Sequence, residues 1–200
     1  MTNRRRKRLA ATALTFAAAL VGASCSTPAP LEDGPGGSTI GARMPDGKLW
    51  MIENVGVAAA DSYCYADREN NCRLYGRLYT WTSAQQACLA FGEGWRLPTD
   101  GDWRELARHF GGVFDDSQDR GNAAYHALLR GGRSGFDAVL SGGRAVDGRY
   151  DDLDAHGFYW TASEDAPGTA LFYNFGRGST ALYRQTDGEK PMALSVRCIQ

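Results

Sequence analysis

No two cysteines in this 200-residue chain form a C-x-x-C pair, so its 5 cysteines lack the spacing of a zinc site. Its 3 histidines, His109, His126 and His156, share no metal or triad spacing, and no cysteine sits in a recognisable Cys–His motif. The acidic runs Asp115-Asp116-x-x-Asp119 and Asp151-Asp152-x-Asp154 do not follow the order of an EF-hand loop. No internal repeat is present, and low complexity is confined to one Pro-, Gly- and Ser-rich segment near the start. The apolar stretch Leu9–Ala23 is too short to span a bilayer. These absences remove a zinc module, a catalytic thiol, a repeat protein and a membrane-spanning protein from the readings in play.

That apolar stretch follows Arg4, Arg5, Arg6, Lys7 and Arg8, the order of a secretory signal peptide. Val21-Gly22-Ala23-Ser24-Cys25 then resembles a bacterial lipobox, with Cys25 as the lipid-attachment residue. Gly22 stands where Leu is usual, so ordinary signal-peptidase cleavage remains the alternative. The reading is a signal peptide over 1–24, then a lipidated amino end and flexible tether over 25–38, too poor in apolar residues to pack. It implies an exported bacterial lipoprotein of the cell envelope, at the outer membrane or cell surface, bound to the membrane through its lipid. Export removes five of the 22 basic residues and none of the 23 acidic ones. An acidic domain argues against nucleic acid as a partner.

The remaining residues, 39–200, suffice for one domain with its own core. Its organising stretch is Gly94-Trp95-Arg96-Leu97-Pro98-Thr99-Asp100-Gly101-Asp102-Trp103. Pro98 holds the preceding residues extended. Thr99 and Asp102 have capping-box spacing, and Trp103, Leu106, Ala107 and Phe110 form one helical face ended by Gly111-Gly112. The pattern predicts helices over Thr82–Phe91, capped by Thr82 or Ser83, over Asp100–Phe110, and over Ala123–Leu129 with Asn122 as cap. It predicts strands near Ile40–Arg43, Leu49–Asn54, Phe136–Leu140, Phe158–Ala162, Ala170–Phe175, Thr180–Arg184 and Ser195–Ile199. Helices precede most strands, which is an α+β order.

The order of residues in Gly94–Trp103 resembles the GW-[RH]-LPT-x-x-EW signature of the Fibrobacter succinogenes major paralogous domain. Lys48–Asn54 is similar to that family's W-M-x-x-N opening, and Tyr75–Trp81 to its YGRLYTW segment. Ser134-Gly135-Phe136, Tyr159–Glu164 and Leu194–Cys198 are similar to its SGF, W-[TS]-S-x-E and FSVRC segments. The resemblance implies a relation to the C-type-lectin-like and formylglycine-generating-enzyme group: two main helices, a small, mostly antiparallel sheet and long loops. Cys64, Cys72, Cys88 and Cys198 allow three pairings. The resemblance favours Cys88–Cys198, leaving Cys64–Cys72 to close a short polar loop. The related enzymes use a redox cysteine pair near the carboxyl end, where this chain has only Cys198. Leu129–Ser134 only faintly matches their RGGS element, and the E-P-N, Q-P-D and W-N-D triplets of sugar-binding lectins are missing.

The expected site lies between SGF and W-T-A-S-E, where lectin-like domains place variable loops. Asp151, Asp152 and Asp154, with Tyr150 and Phe175, are the candidate ligand-binding residues, and the three aspartates the candidate Ca²⁺ ligands. Tyr150, Tyr159, Phe172, Tyr173, Phe175 and Tyr183 are divided between core and a stacking platform, with Phe172 facing away from Leu171 and Tyr173. Arg96 and Arg197 call for a carboxylate or carbonyl partner, with Glu53, Asp102 and Glu164 as candidates. The leading functional reading is a non-catalytic module, without cofactor, binding a glycan or a surface protein in an aromatic, acidic groove built from 141–156 and 165–179. A scaffold lipoprotein without a small ligand would lack that groove. An enzyme related to formylglycine-generating oxidases is the third reading.

Overall fold

A computed structural model of the chain describes residues 41–200; the expected signal peptide, Cys25 and the expected tether lie outside the described residues. The described part is a mixture of four α-helices and nine strands, with the helices before the main sheet. That sheet has the order β6-β5-β7-β8-β9, formed by β5 (Ser141–Arg144), β6 (Tyr150–Leu153), β7 (His156–Ala166), β8 (Thr169–Gly176) and β9 (Ala181–Glu189). All its pairings are antiparallel except that of β5 with β7.

Side chains alternate across β7 and β8, and the alternation divides the core. Tyr159, Tyr173 and Phe175 join one apolar cluster with α3 (Asp100–Arg108) and α4 (Asn122–Leu128), through Trp103, Leu106, Tyr125 and Leu128. Trp160, Ala170 and Phe172 join a second cluster with α2 (Trp81–Leu89), through Trp81, Ala84, Ala87 and Cys88. Both faces of the central hairpin are thus covered. Phe172 does face away from Tyr173.

The organising stretch is framework. Arg96 exchanges both backbone hydrogen bonds with Ile199, and Pro98 carbonyl accepts from the Ala162 amide. Trp95, Leu97 and Trp103 are buried. The capping box is complete: Thr99 Oγ1 accepts from the Asp102 amide at 3.2 Å, and an Asp102 carboxylate oxygen accepts from the Thr99 amide at 2.8 Å. Asp102 also takes Arg96 Nη1 at 2.7 Å. Burial pushes the Asp102 carboxyl up, but Arg96 and the two Thr99 donors outweigh it and bring it down to about 2.

Several boundaries differ from expectation. Helix α2 begins at Trp81 after Thr80, and neither Thr82 nor Ser83 caps it; Ser83 Oγ instead donates to the Ala60 carbonyl at 2.6 Å. Helix α4 is entered from Gly121 in a left-handed conformation, leaving the Asn122 amide to bind Thr180. Helix α1 (Glu69–Tyr75) occupies the segment expected to be only a disulfide-closed loop. Phe136–Leu140 is no strand: Ala138 pairs with the end of α4, and Asp137 bends the chain with φ +54°. Ser195–Ile199 forms isolated bridges to three neighbours and no regular strand. Near the start, β1 (Gly41–Arg43) pairs with β2 (Leu49–Met51), and Leu49 exchanges both backbone hydrogen bonds with Gln200. The short strands β3 (Ser62–Tyr63) and β4 (Leu78–Tyr79) form a third ladder.

The cysteines pair as Cys64–Cys72 and Cys88–Cys198. The second bridge joins α2 to the carboxyl-terminal segment.

Candidate functional site

The hairpin β5–β6 depends on glycine. Gly142 has φ +62°, and a Cβ there would lie 2.4 Å from the Asp151 carbonyl. Gly143 lets Leu194 and Phe158 approach from the other side. The result is a shallow cleft of about 130 Å³. Phe158 and Phe172 meet edge to face at 5.9 Å in its floor, beside Met192 and Leu194. Arg144, Asp151 and Asp152 stand around it. The lining is therefore apolar below and charged at the rim, suited to a ring or aliphatic group that carries polar substituents.

The floor continues along β7. His156 stacks on Phe158 with centroids 5.4 Å apart and planes 7° from parallel. Its Nδ1 is 2.9 Å from Asn174 Oδ1, and the Asn174 amide donates to Gln185 Oε1 at 2.9 Å. Each of these side chains has its orientation set by the next.

Arg144 is held by rings. Its guanidinium carbon is 4.1 Å from the Tyr63 centroid and 5.7 Å from that of Tyr150, while Tyr65 packs on Tyr150 at 5.2 Å. Its buried Nε has no hydrogen-bond partner among the described residues. Tyr150 donates to Asp67 Oδ1 at 2.6 Å; burial first, then that carboxylate, push its hydroxyl up to about 12. The tyrosines thereby fasten the Cys64–Cys72 segment to the rim.

The expected site residues are only partly brought together. Asp151 and Asp152 reach the cleft, Asp151 already paired with Arg149 at 2.8 Å. Asp154 instead accepts from the Tyr75 hydroxyl at 3.1 Å in a neighbouring hollow. Among the described residues, Cys64, Glu69 and Cys72 alone converge as a potential metal-ligand set, and their two sulfurs are bonded to each other; the three aspartates do not converge. Phe175 is a correction: it is fully buried between Tyr125 and Tyr159 and offers no surface to a ligand. Tyr159 and Tyr173 are buried too, Phe172 shows only 6% of its surface, at the cleft floor, Tyr183 stacks on Phe114, and Tyr150 serves as a strut.

Arg144, Phe158, Met192 and Leu194 escaped the sequence reading. The alternation in Phe158-Tyr159-Trp160 carried the signal for Phe158, because it must share a face with Trp160. Nothing local marks Met192 or Leu194, which arrive from a distant segment. Arg197 takes the carbonyl alternative and none of the three candidate carboxylates. It is 1% exposed and donates to Asn54 Oδ1 and to the Met51, Phe136 and Asp137 carbonyls at 2.7–2.9 Å.

No curated protein and no solved structure matches the chain. The Fibrobacter succinogenes major domain matches residues 41–200, the whole of the described fold. The chain belongs to the Fibrobacter succinogenes major domain family.

Proposed function

We propose that this is an exported bacterial envelope lipoprotein whose domain is a non-catalytic binding module for a glycan or a surface protein. The cleft over Phe158 and Phe172, rimmed by Arg144, Asp151 and Asp152, carries the reading. The first expected segment supplies Gly143, Arg144, Ala145, Asp151 and Asp152, the second only Phe172, and Phe158, Met192 and Leu194 come from outside both. A scaffold lipoprotein has no need of an apolar floor kept open beside charged side chains. The lectin-like assignment is supported by the two nine-residue helices α2 and α3 on opposite faces of a largely antiparallel sheet and by the bridge from α2 to the carboxyl end. The formylglycine-generating alternative is disfavoured by Cys198, which is committed to that bridge and so is not a free redox thiol.

A glycan and surface-protein array probed with the mature chain, with and without Ca²⁺, tests the reading. Saturable binding reduced by Phe158→Ala and Arg144→Ala is expected. Binding that neither variant changes would remove the cleft as the site, and no binding to either class would favour the scaffold role.

A further inference from the structure

Two adjoining hollows of about 250 Å³ each open beside α1 and share Tyr75, Arg130 and Val139. Arg130 follows α4, and Arg177 lies in the β8–β9 turn. Their backbones are anchored, Arg130 amide to the Ala138 carbonyl and Arg177 amide to the Ala155 carbonyl, each at 2.9 Å. Their guanidinium groups are not: among the described residues neither has a carboxylate within 4.0 Å or any side-chain hydrogen bond, whereas Arg96, Arg104, Arg149 and Arg184 each hold an aspartate. Behind the wall, buried Arg197 donates to Asn54, which lines the second hollow, so a further positive charge backs the cleft. Burial and Asp154 hold the Tyr75 hydroxyl above its usual range, and Arg130 and Arg177 pull the other way, so both cations act on the same hydroxyl.

The cleft is not uniformly basic. Asp154 and Glu53 also line it, and its exposed walls are more polar than apolar. A compact polyanion such as phosphate would meet repulsion from these carboxylates. A molecule that presents one carboxylate among several hydroxyls satisfies both kinds of lining, because guanidinium forks take carboxylates while Asp, Glu and Tyr side chains take hydroxyls.

We infer that this cleft binds an acidic sugar, with Arg130 and Arg177 on its carboxylate and Asp154, Tyr75 and Glu53 on its hydroxyls. The inference deepens the binding-module reading but uses residues separate from the Phe158 cleft, so the two can fail independently.

The test is calorimetric titration of the mature chain with trigalacturonate, beside neutral maltotriose, inorganic phosphate and trialanine. Saturable binding of trigalacturonate alone is expected, weakened about tenfold or more by Arg130→Ala and by Arg177→Ala. Both arginines are exposed, so melting curves should match those of the parent. Phe158→Ala should leave this affinity unchanged. No trigalacturonate binding, equal binding of phosphate or trialanine, or binding indifferent to both arginine variants would overturn the inference. Loss through Phe158→Ala alone would overturn it too, and would place the sugar in the other cleft.

Discussion

The indole of Trp103 lies against the phenol ring of Tyr173, with centroids 4.9 Å apart and planes 16° from parallel. This contact joins α3 to β8, and Trp50 and Phe136 close around the same indole at 5.1 and 5.5 Å. Trp103→Ala should therefore destabilise the domain by about 3–5 kcal/mol in denaturant unfolding. Trp103→Phe should retain most of the stability, because the indole Nε1 makes no hydrogen bond. A stable Trp103→Ala protein would contradict the framework role of the motif.

Acid should weaken the same corner. The Asp102 carboxyl lies at about 2 in the folded protein against an ordinary 3.8. A lowered carboxyl stabilises the fold above its unfolded value, and that contribution disappears as pH falls through the folded one. Stability should drop by roughly 2 kcal/mol between pH 4 and pH 2 from this group. Asp102→Asn should flatten that part of a melting-temperature profile; an unchanged profile would show that the group is not responsible.

Non-reducing peptide mapping should recover Cys88 with Cys198 and Cys64 with Cys72. The sequence separations, 110 and 8, give roughly 4–5 kcal/mol for the first bridge and roughly 2–3 for the second by loop-closure arithmetic. Paired Cys→Ala variants should rank in that order. A peptide joining Cys88 to Cys72 would refute the fold.

The late loop should behave differently from the core. Asp152 is exposed with φ +66°, so Asp152→Asn, which tolerates that conformation, should leave stability within about 0.5 kcal/mol. Asp152→Ala is the worse probe, since alanine is less at ease there. If the cleft binds a ligand, Asp152→Asn should change its affinity without moving the melting temperature.

For the amino end, Cys25→Ser should release the protein from the membrane fraction or arrest its maturation. A protein that stays detergent-dependent after this change is anchored by something other than a lipidated Cys25.

Local chemistry was the legible part of this fold. The capping box of Thr99 and Asp102, the α3 face and the opposed orientation of Phe172 and Tyr173 follow from spacings of a few residues. The β5–β6 hairpin was not legible, because Ser141-Gly142-Gly143-Arg144 has no strand-forming side chains; it pairs where the missing Cβ of Gly142 admits the Asp151 carbonyl. The cleft was legible by segment and not by residue. Its acidic rim belongs to the expected run, but its floor combines β7 and β8 with Met192 and Leu194, a long-range arrangement that no local pattern encodes. Phe175 shows the converse: whether a strand aromatic is platform or core depends on α4 packing over it. Arg197 was legible as an arginine in need of carboxylate or carbonyl partners, but not which ones, since a turn at Asp137 brings the carbonyls together.

If the amino end is anchored as proposed, the Cys88–Cys198 bridge has a mechanical meaning. The whole five-stranded sheet, and Phe158 with it, lies inside the covalent ring that the bridge closes. Tension between the tether and a partner gripping Phe158 can peel the chain only as far as Cys88. There the load divides between two arcs of the ring, and the shorter arc, back from Cys198, sets how far the protein can be drawn out. The bridge would then act as a strain limiter between that anchor and the surface proposed to do the holding.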